Sequence, residues 1–281
     1  MKAKLLYDHL ENDFILSELS DVWAKYMGPV YDFLTENFRE RSMGLVCDFA
    51  EEITKVYSTV FPTDEILSQI IDIGTTDAML FLHHPSIWDI RATPAFKQMN
   101  PLLVKKLKEH RISIYNLHVP LDNYSDYSTS KTLADALNLE IVKPFAQYRG
   151  GLAGIIGKTK CNTVEELNAV FSEAVGHSTK LYLYGENIIN GNIGIAAGGG
   201  NTMETIAELI EDNVKVLISG ITVNNDISSE VHSCEKANKI NILGGTHYST
   251  EKFACQKMCT YFENFGLESV FMHGEPVLED M

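Results

Sequence analysis

The sequence predicts an α/β fold of two lobes, built from layered, mostly parallel sheets with helices, the second lobe inserted into the first. Three observations predict it. From about Met43 onward, short β-branched or apolar runs alternate with helical patterns. Residues 78–82 (AMLFL) form an unbroken apolar run of the kind buried on both faces of a parallel sheet. A polar stretch at residues 123–130 then opens a Gly-rich middle region, and the texture of the first part returns at about residue 231. The expected organisation is a discontinuous α/β lobe of residues 1–125 plus 229–281, with an inserted α/β lobe of residues 126–228.

Taken in order, residues 3–40 carry spaced apolar positions among charges and suit short amphipathic helices. Residues 53–60 (ITKVYSTV) read as a strand, and Thr63 as the N-cap of a helix through Ile70. A strand at 78–82 ends on His83-His84-Pro85. A Lys-rich helix at 102–110 precedes a strand at 112–115, followed by His118-Val119-Pro120-Leu121-Asp122. In the middle region the expected elements are a helix at 131–137, a Gly-rich strand at 150–157, a helix opened by Thr163, and strands at 181–184 and 193–197. Gly198-Gly199-Gly200 leads into a helix ending near Ile210, then a strand at 214–218. A helix from Val231 and a strand at 240–243 complete the pattern and deliver Gly244-Gly245-Thr246-His247.

Composition narrows the function classes. The 281 residues are 45% hydrophobic and 22% charged, enough for a large buried core. Lys and Arg total 23 against 38 Asp and Glu, a formal charge of -15, so the basic footprint of non-specific nucleic-acid binding is missing. No apolar run is long enough to span a bilayer, and acidic residues follow the N-terminus too closely for a signal peptide. Cys47, Cys161, Cys234, Cys255 and Cys259 include no C-x-x-C pair and read as structural thiols of a reducing cytoplasm. A cytoplasmic protein acting on a small molecule, without nucleic acid or membrane, is the expectation.

Three strand ends carry the chemistry. His83 and His84 follow the run at 78–82; in an extended backbone neighbouring side chains point to opposite faces, so the pair suits two adjacent ions, or one ion with the second histidine supporting the first. Asp122 offers an oxygen that can bridge two ions, and His118, four residues earlier, could ligate or carry a proton. His247 and Glu251 are spaced i, i+4 and share a face if helical. Each unit alone is an ordinary strand end. Together they supply three imidazoles and two carboxylates, a donor set without thiolates that fits two divalent ions of zinc, iron or manganese. The triple glycine fits neither G-x-G-x-x-G nor a Walker pattern, leaving a tight turn or a phosphate contact.

At these residues the chain resembles the Nif-three-like dinuclear metal-centre family, whose members are often labelled GTP cyclohydrolase I type two homologues. The matching motifs are Phe81-Leu82-His83-His84-Pro85, the His118-to-Asp122 spacing, and Gly245 through Glu251, with Ile195 to Gly200 in support. The resemblance implies His83, His84, Asp122, His247 and Glu251 as ligands of two metals per subunit, in a hexameric ring of two-lobed subunits. The chain departs from the pattern at residues 40–43, Pro120, Ile221 and Asn225. Two functions follow as expectations: a metal-dependent hydrolase of a small nucleotide-like, cyclic amide or phosphoester substrate, with His118 as proton carrier, or a non-enzymatic metal-binding assembly for storage, delivery or regulation.

Overall fold

The computed structural model describes residues 1–185 and 187–281. The chain divides into two compact units, the first holding residues 1–121 and 255–275, the second residues 122–254 and 276–281.

The first unit begins with α1 (Ala3–Phe14), whose buried Ala3, Leu6, Tyr7, Leu10 and Phe14 fall at helical spacing. Two 3₁₀ turns, Trp23–Tyr26 and Gly28–Phe33, and α2 (Glu36–Arg41) lead to β1 (Gly44–Cys47). There follow β2 (Lys55–Thr59), α3 (Asp64–Ile73), β3 (Ala78–Leu82), the small hairpin of β4 (Ile87–Trp88) and β5 (Phe96–Lys97), α4 (Pro101–Glu109), β6 (Ile112–Asn116) and the single turn α5 (Val119–Asp122). Thr63 caps α3 by accepting from the Ile66 N–H, and Gly74 closes it at φ 74°. With β13 (Glu268–Phe271), the sheet runs β1-β6-β3-β2-β13, parallel except at β1. All five residues of β3 are buried, as its uninterrupted apolar sequence requires.

The second unit contains α6 (Thr129–Ala136), β7 (Glu140–Tyr148), β8 (Gly151–Lys158), α7 (Val164–Val175), β9 (Lys180–Tyr182), β10 (Asn192–Ala196), α8 (Met203–Glu211), β11 (Val216–Ser219), α9 (Ser229–Ala237), β12 (Asn241–Gly244) and the start of α10 (His247–Glu263). Its sheet runs β7-β8-β10-β11-β12-β9. Parallel pairing, expected from the alternation of strands and helices, is confined here to β10, β11 and β12. One of the three antiparallel pairs has a local cause: Arg149 (φ 47°) and Gly150 (φ 94°) turn β7 directly into β8 as a tight hairpin. Strand β7 itself was not expected; it is an edge strand with Pro144 inside it and a bulge between Ile141 and Lys143, which masks period-two alternation.

The five cysteines form no disulfide among the described residues, and burial pushes the Cys47 thiol up to about 12, the behaviour of an inert packing residue. Among the described residues no helix is long and apolar enough to cross a membrane.

Candidate metal centre

In the first unit, His83 and His84 follow β3 just beyond its last paired residue, Leu82, with their N–H groups still bonded alongside β2. The His83 N–H donates to the Thr59 carbonyl at 3.2 Å and the His84 N–H to the Val60 carbonyl at 2.9 Å. The chain then bends, and the two rings do not diverge. Their centroids lie 4.4 Å apart. The opposite-face expectation therefore fails at this strand end, because the extended geometry it assumed stops at His83. His118 heads α5, with its carbonyl accepting from the Leu121 N–H, and its ring stands 4.7 Å from His84 and 5.4 Å from His83. All three imidazoles are buried, and each offers a ligand nitrogen within 4.8 Å of the others.

Two of these rings have a defined hydrogen-bonded side. His83 Nδ1 lies 3.0 Å from the Leu117 carbonyl oxygen, so it carries the proton and the lone pair resides on Nε2. His118 Nδ1 faces Asp21 Oδ2 at 2.8 Å and the Trp23 indole nitrogen at 3.0 Å. Aromatic side chains line the same cluster: Phe61 stacks on His84 at 4.8 Å, and Trp23 meets His84, His118 and Phe96 edge-on at 5.8, 5.3 and 5.3 Å.

In the second unit, Thr246 opens α10. Its hydroxyl accepts from the Ser249 N–H at 3.1 Å, and Asp280 Oδ2 accepts from the His247 N–H at 2.9 Å, so two N–H groups that a helix start leaves unpaired are satisfied. One turn on, Glu251 brings Oε1 to 3.1 Å from His247 Nε2, both side chains buried. Asp122, which accepts from the Thr129 hydroxyl at 2.9 Å, offers a carboxylate oxygen within 4.8 Å of that of Glu251.

The triple glycine packs against this pair. Gly198 adopts φ +61°, and a Cβ there would fall 2.0 Å from Glu251 Oε1 and 3.1 Å from the His247 ring. Its N–H donates to Thr250 Oγ1 at 3.0 Å, and its carbonyl accepts from the Gly220 and Ile221 N–H groups at 3.0 and 2.8 Å. Glycine is required here so that the loop can approach the acidic side chain.

The donors suit a divalent ion. Imidazole and carboxylate groups converge in buried surroundings, no cysteine joins any of the groups formed by the described residues, and Gly198 leaves room at Glu251 that a side chain would fill. These buried His and Glu residues could hold a metal ion.

A family model described as Duf34/NIF3 (NGG1p interacting factor 3) matches residues 35–276. The chain belongs to the Duf34/NIF3 family. Relatives named GTP cyclohydrolase 1 type 2 homolog include one from Pyrococcus horikoshii, 25% identical over 82% of this chain and 88% of its own length. Another, from Archaeoglobus fulgidus, is 26% identical over 86% of this chain and 93% of its own. Among solved structures, protein ybgI, titled as of unknown function, superposes with a TM-score of 0.76 at 17% identity, covering 98% of this chain and all 100% of that one. Reduced HcgD from Methanocaldococcus jannaschii gives 0.67 at 22% identity, covering 98% of each chain. These likenesses establish a shared fold.

Sequence reasoning singled out His83, His84, His118, Asp122, His247 and Glu251 but not three residues that bond to two of them: Asp21 and Trp23 at His118, and Asp280 at His247. Asp21 and Trp23 lie before the family match, and Asp280 beyond it. No strand or helix periodicity marks Asp21 or Asp280, so only tertiary structure could reveal them.

Proposed function

We propose that this chain is a dinuclear metal-dependent hydrolase. His83, His84, Asp122, His247 and Glu251 would hold two divalent ions, of zinc, iron or manganese, and His118 would carry a proton. The observation that carries this reading is the supply of buried N and O donors without a thiol: three imidazoles grouped beyond the ends of β3 and β6 in the first unit, and a His-Glu pair against Gly198 in the second. The five ligand positions also match the family motifs described above.

Ions bound there would supply Lewis acidity toward a phosphoryl, amide or ring C=N group and favour attack by water at neutral pH. The remaining work falls to the protein. The Nδ1–H of His83, donated to the Leu117 carbonyl, holds that ring with its lone pair on Nε2, the atom that would ligate an ion. The His118 ring, beside both histidines, can accept a proton from an attacking or leaving group. Trp23, Phe96, Tyr26 and Trp88 form an aromatic group next to His84, in which Tyr26 stacks on Phe96 at 6.5 Å and Phe96 is 43% exposed. Such faces favour a flat heterocycle, consistent with a nucleotide-like or cyclic amide substrate. The family resemblance supports a homo-oligomer, a hexamer in that family's pattern, and the five thiols without a C-x-x-C pair support a reducing cytoplasm.

Purified protein loaded separately with zinc, manganese or iron(II) is to be screened against GTP, phosphodiesters and cyclic amides beside Asp122→Ala. Metal-dependent turnover confined to the wild type supports the assignment; turnover equal in the two proteins across metals and substrates contradicts it.

A further inference from the structure

We propose that Asp21 is a positioning residue for His118, so that a segment preceding the family match is part of the centre. The inference rests on the functional reading above for the importance of His118, and on separate geometry for the role of Asp21.

The segment is held firmly in the first unit. Asp21 Oδ1 accepts from the Val22 N–H at 2.8 Å, and the Ala24 N–H donates to Ser42 Oγ at 2.9 Å. Trp23 and Ala24 belong to the hydrophobic cluster that also contains Leu80 and Leu82 of β3. The Asp21 side chain is 1% exposed and that of His118 10%. A carboxylate placed out of water requires donors, and its second oxygen faces His118 Nδ1.

Both Asp21 and the Trp23 indole address the same nitrogen, and one nitrogen cannot serve both. An indole N–H only donates, so pairing with Trp23 would need a lone pair on Nδ1; pairing with Asp21 needs a proton there. The carboxylate is the nearer partner and the charge-assisted bond the stronger, so Nδ1 carries the proton and donates to Asp21. The lone pair of neutral His118 then resides on Nε2. Trp23 acts as a wall, edge-on to His118 and His84, which restricts rotation of both rings. Asp21 thereby sets the tautomer and orientation of the imidazole from outside the residues the family model matches.

The test is magic-angle-spinning ¹⁵N NMR of the full chain, histidine-labelled and stripped with chelator, with His118→Gln used to assign the signal. In the wild type His118 is expected as the Nδ1–H tautomer. Asp21→Asn, whose amide can either donate or accept, is expected to give a mixture or the Nε2–H form, and Asp21→Glu to restore Nδ1–H at least in part. Trp23→Phe should leave the tautomer unchanged. An Nε2–H His118 in the wild type, or an unchanged tautomer in a folded Asp21→Asn, overturns the proposal. Should Asp21→Asn fail to fold, the wild-type tautomer and Trp23→Phe still decide it. Zinc content measured on unstripped samples judges the metal reading separately: an Asp21-dependent tautomer in a chain that holds no zinc would defeat that reading and leave this one standing.

Discussion

Glu235 is fully buried on α9, and its substitution gives a quantitative test of how the second unit handles a polar core. His232, one turn earlier, is also buried. Its Nε2 lies 3.0 Å from the Thr222 carbonyl oxygen and therefore donates, which leaves a lone pair on Nδ1. Facing that lone pair are Glu235 Oε2 at 2.9 Å and the Tyr184 hydroxyl at 3.0 Å. A protonated Glu235 carboxyl, the nearer group, can donate to that lone pair. Burial pushes Glu235 up to about 7 against a hydrogen bond from Asn201 that pulls it down, while burial holds His232 below its ordinary value. Between the ordinary 4.5 and about 7 the unfolded chain has lost this proton and the folded chain retains it, so stability falls as pH rises through that window. Above it the full cost is about 3 kcal/mol. Glu235→Gln keeps the shape and offers an amide N–H to His232 Nδ1. It should therefore gain about 3 kcal/mol over wild type at pH 8 relative to the difference at pH 4.5. The lowered His232 costs stability as pH falls below its ordinary range, but does so in both proteins. Trp23 and Trp88 both lie in the first unit, so their fluorescence does not follow the second. Amide hydrogen exchange at β11 and β12, with chelator present, does. A difference that stays flat within about 0.5 kcal/mol from pH 4.5 to 8 would mean the carboxyl is ionised in the fold, and would refute the reasoning.

Gly198→Ala places a methyl 2.0 Å from Glu251 Oε1 at a positive φ, so it should cost at least about 1 kcal/mol and lower bound metal, read by thermal unfolding and elemental analysis. Asp280→Ala removes the acceptor of the His247 N–H and should cost about 1–2 kcal/mol, with faster hydrogen exchange at His247 and its neighbours; unchanged exchange would argue against this cap. Asp122→Ala should abolish any metal-dependent turnover without unfolding the second unit, checked by circular dichroism alongside the substrate screen.

The polar ends of three elements were legible because a simple local signal announced each: an all-apolar β3 stopping at His83, a strand before His118, and an i, i+4 pair after Gly244-Gly245. The chemistry of their donors was legible too. The fall of the rings was not. His83 and His84 converge because the chain leaves the extended form at the point where the alternation rule was applied. Strand β7 escaped notice because Pro144 and a bulge break its pattern, and the antiparallel hairpin it forms depends on two left-handed residues that leave little trace in composition. Asp21, Trp23 and Asp280 act over long sequence separations on residues whose own motifs are complete without them. Within the triple glycine, the approach to Glu251 explains Gly198 and close contact with Ala196 explains Gly200.

The central claim is that two ions share these side chains. Crystals of the protein purified without added metal or chelator, measured at the zinc, iron and manganese absorption edges, address it most directly. The account predicts two anomalous peaks about 3.5–4 Å apart, contacted between them by His83, His84, Asp122, His247 and Glu251. Absence of any peak at these residues, with the imidazole and carboxylate groups bonded only to one another, would contradict it.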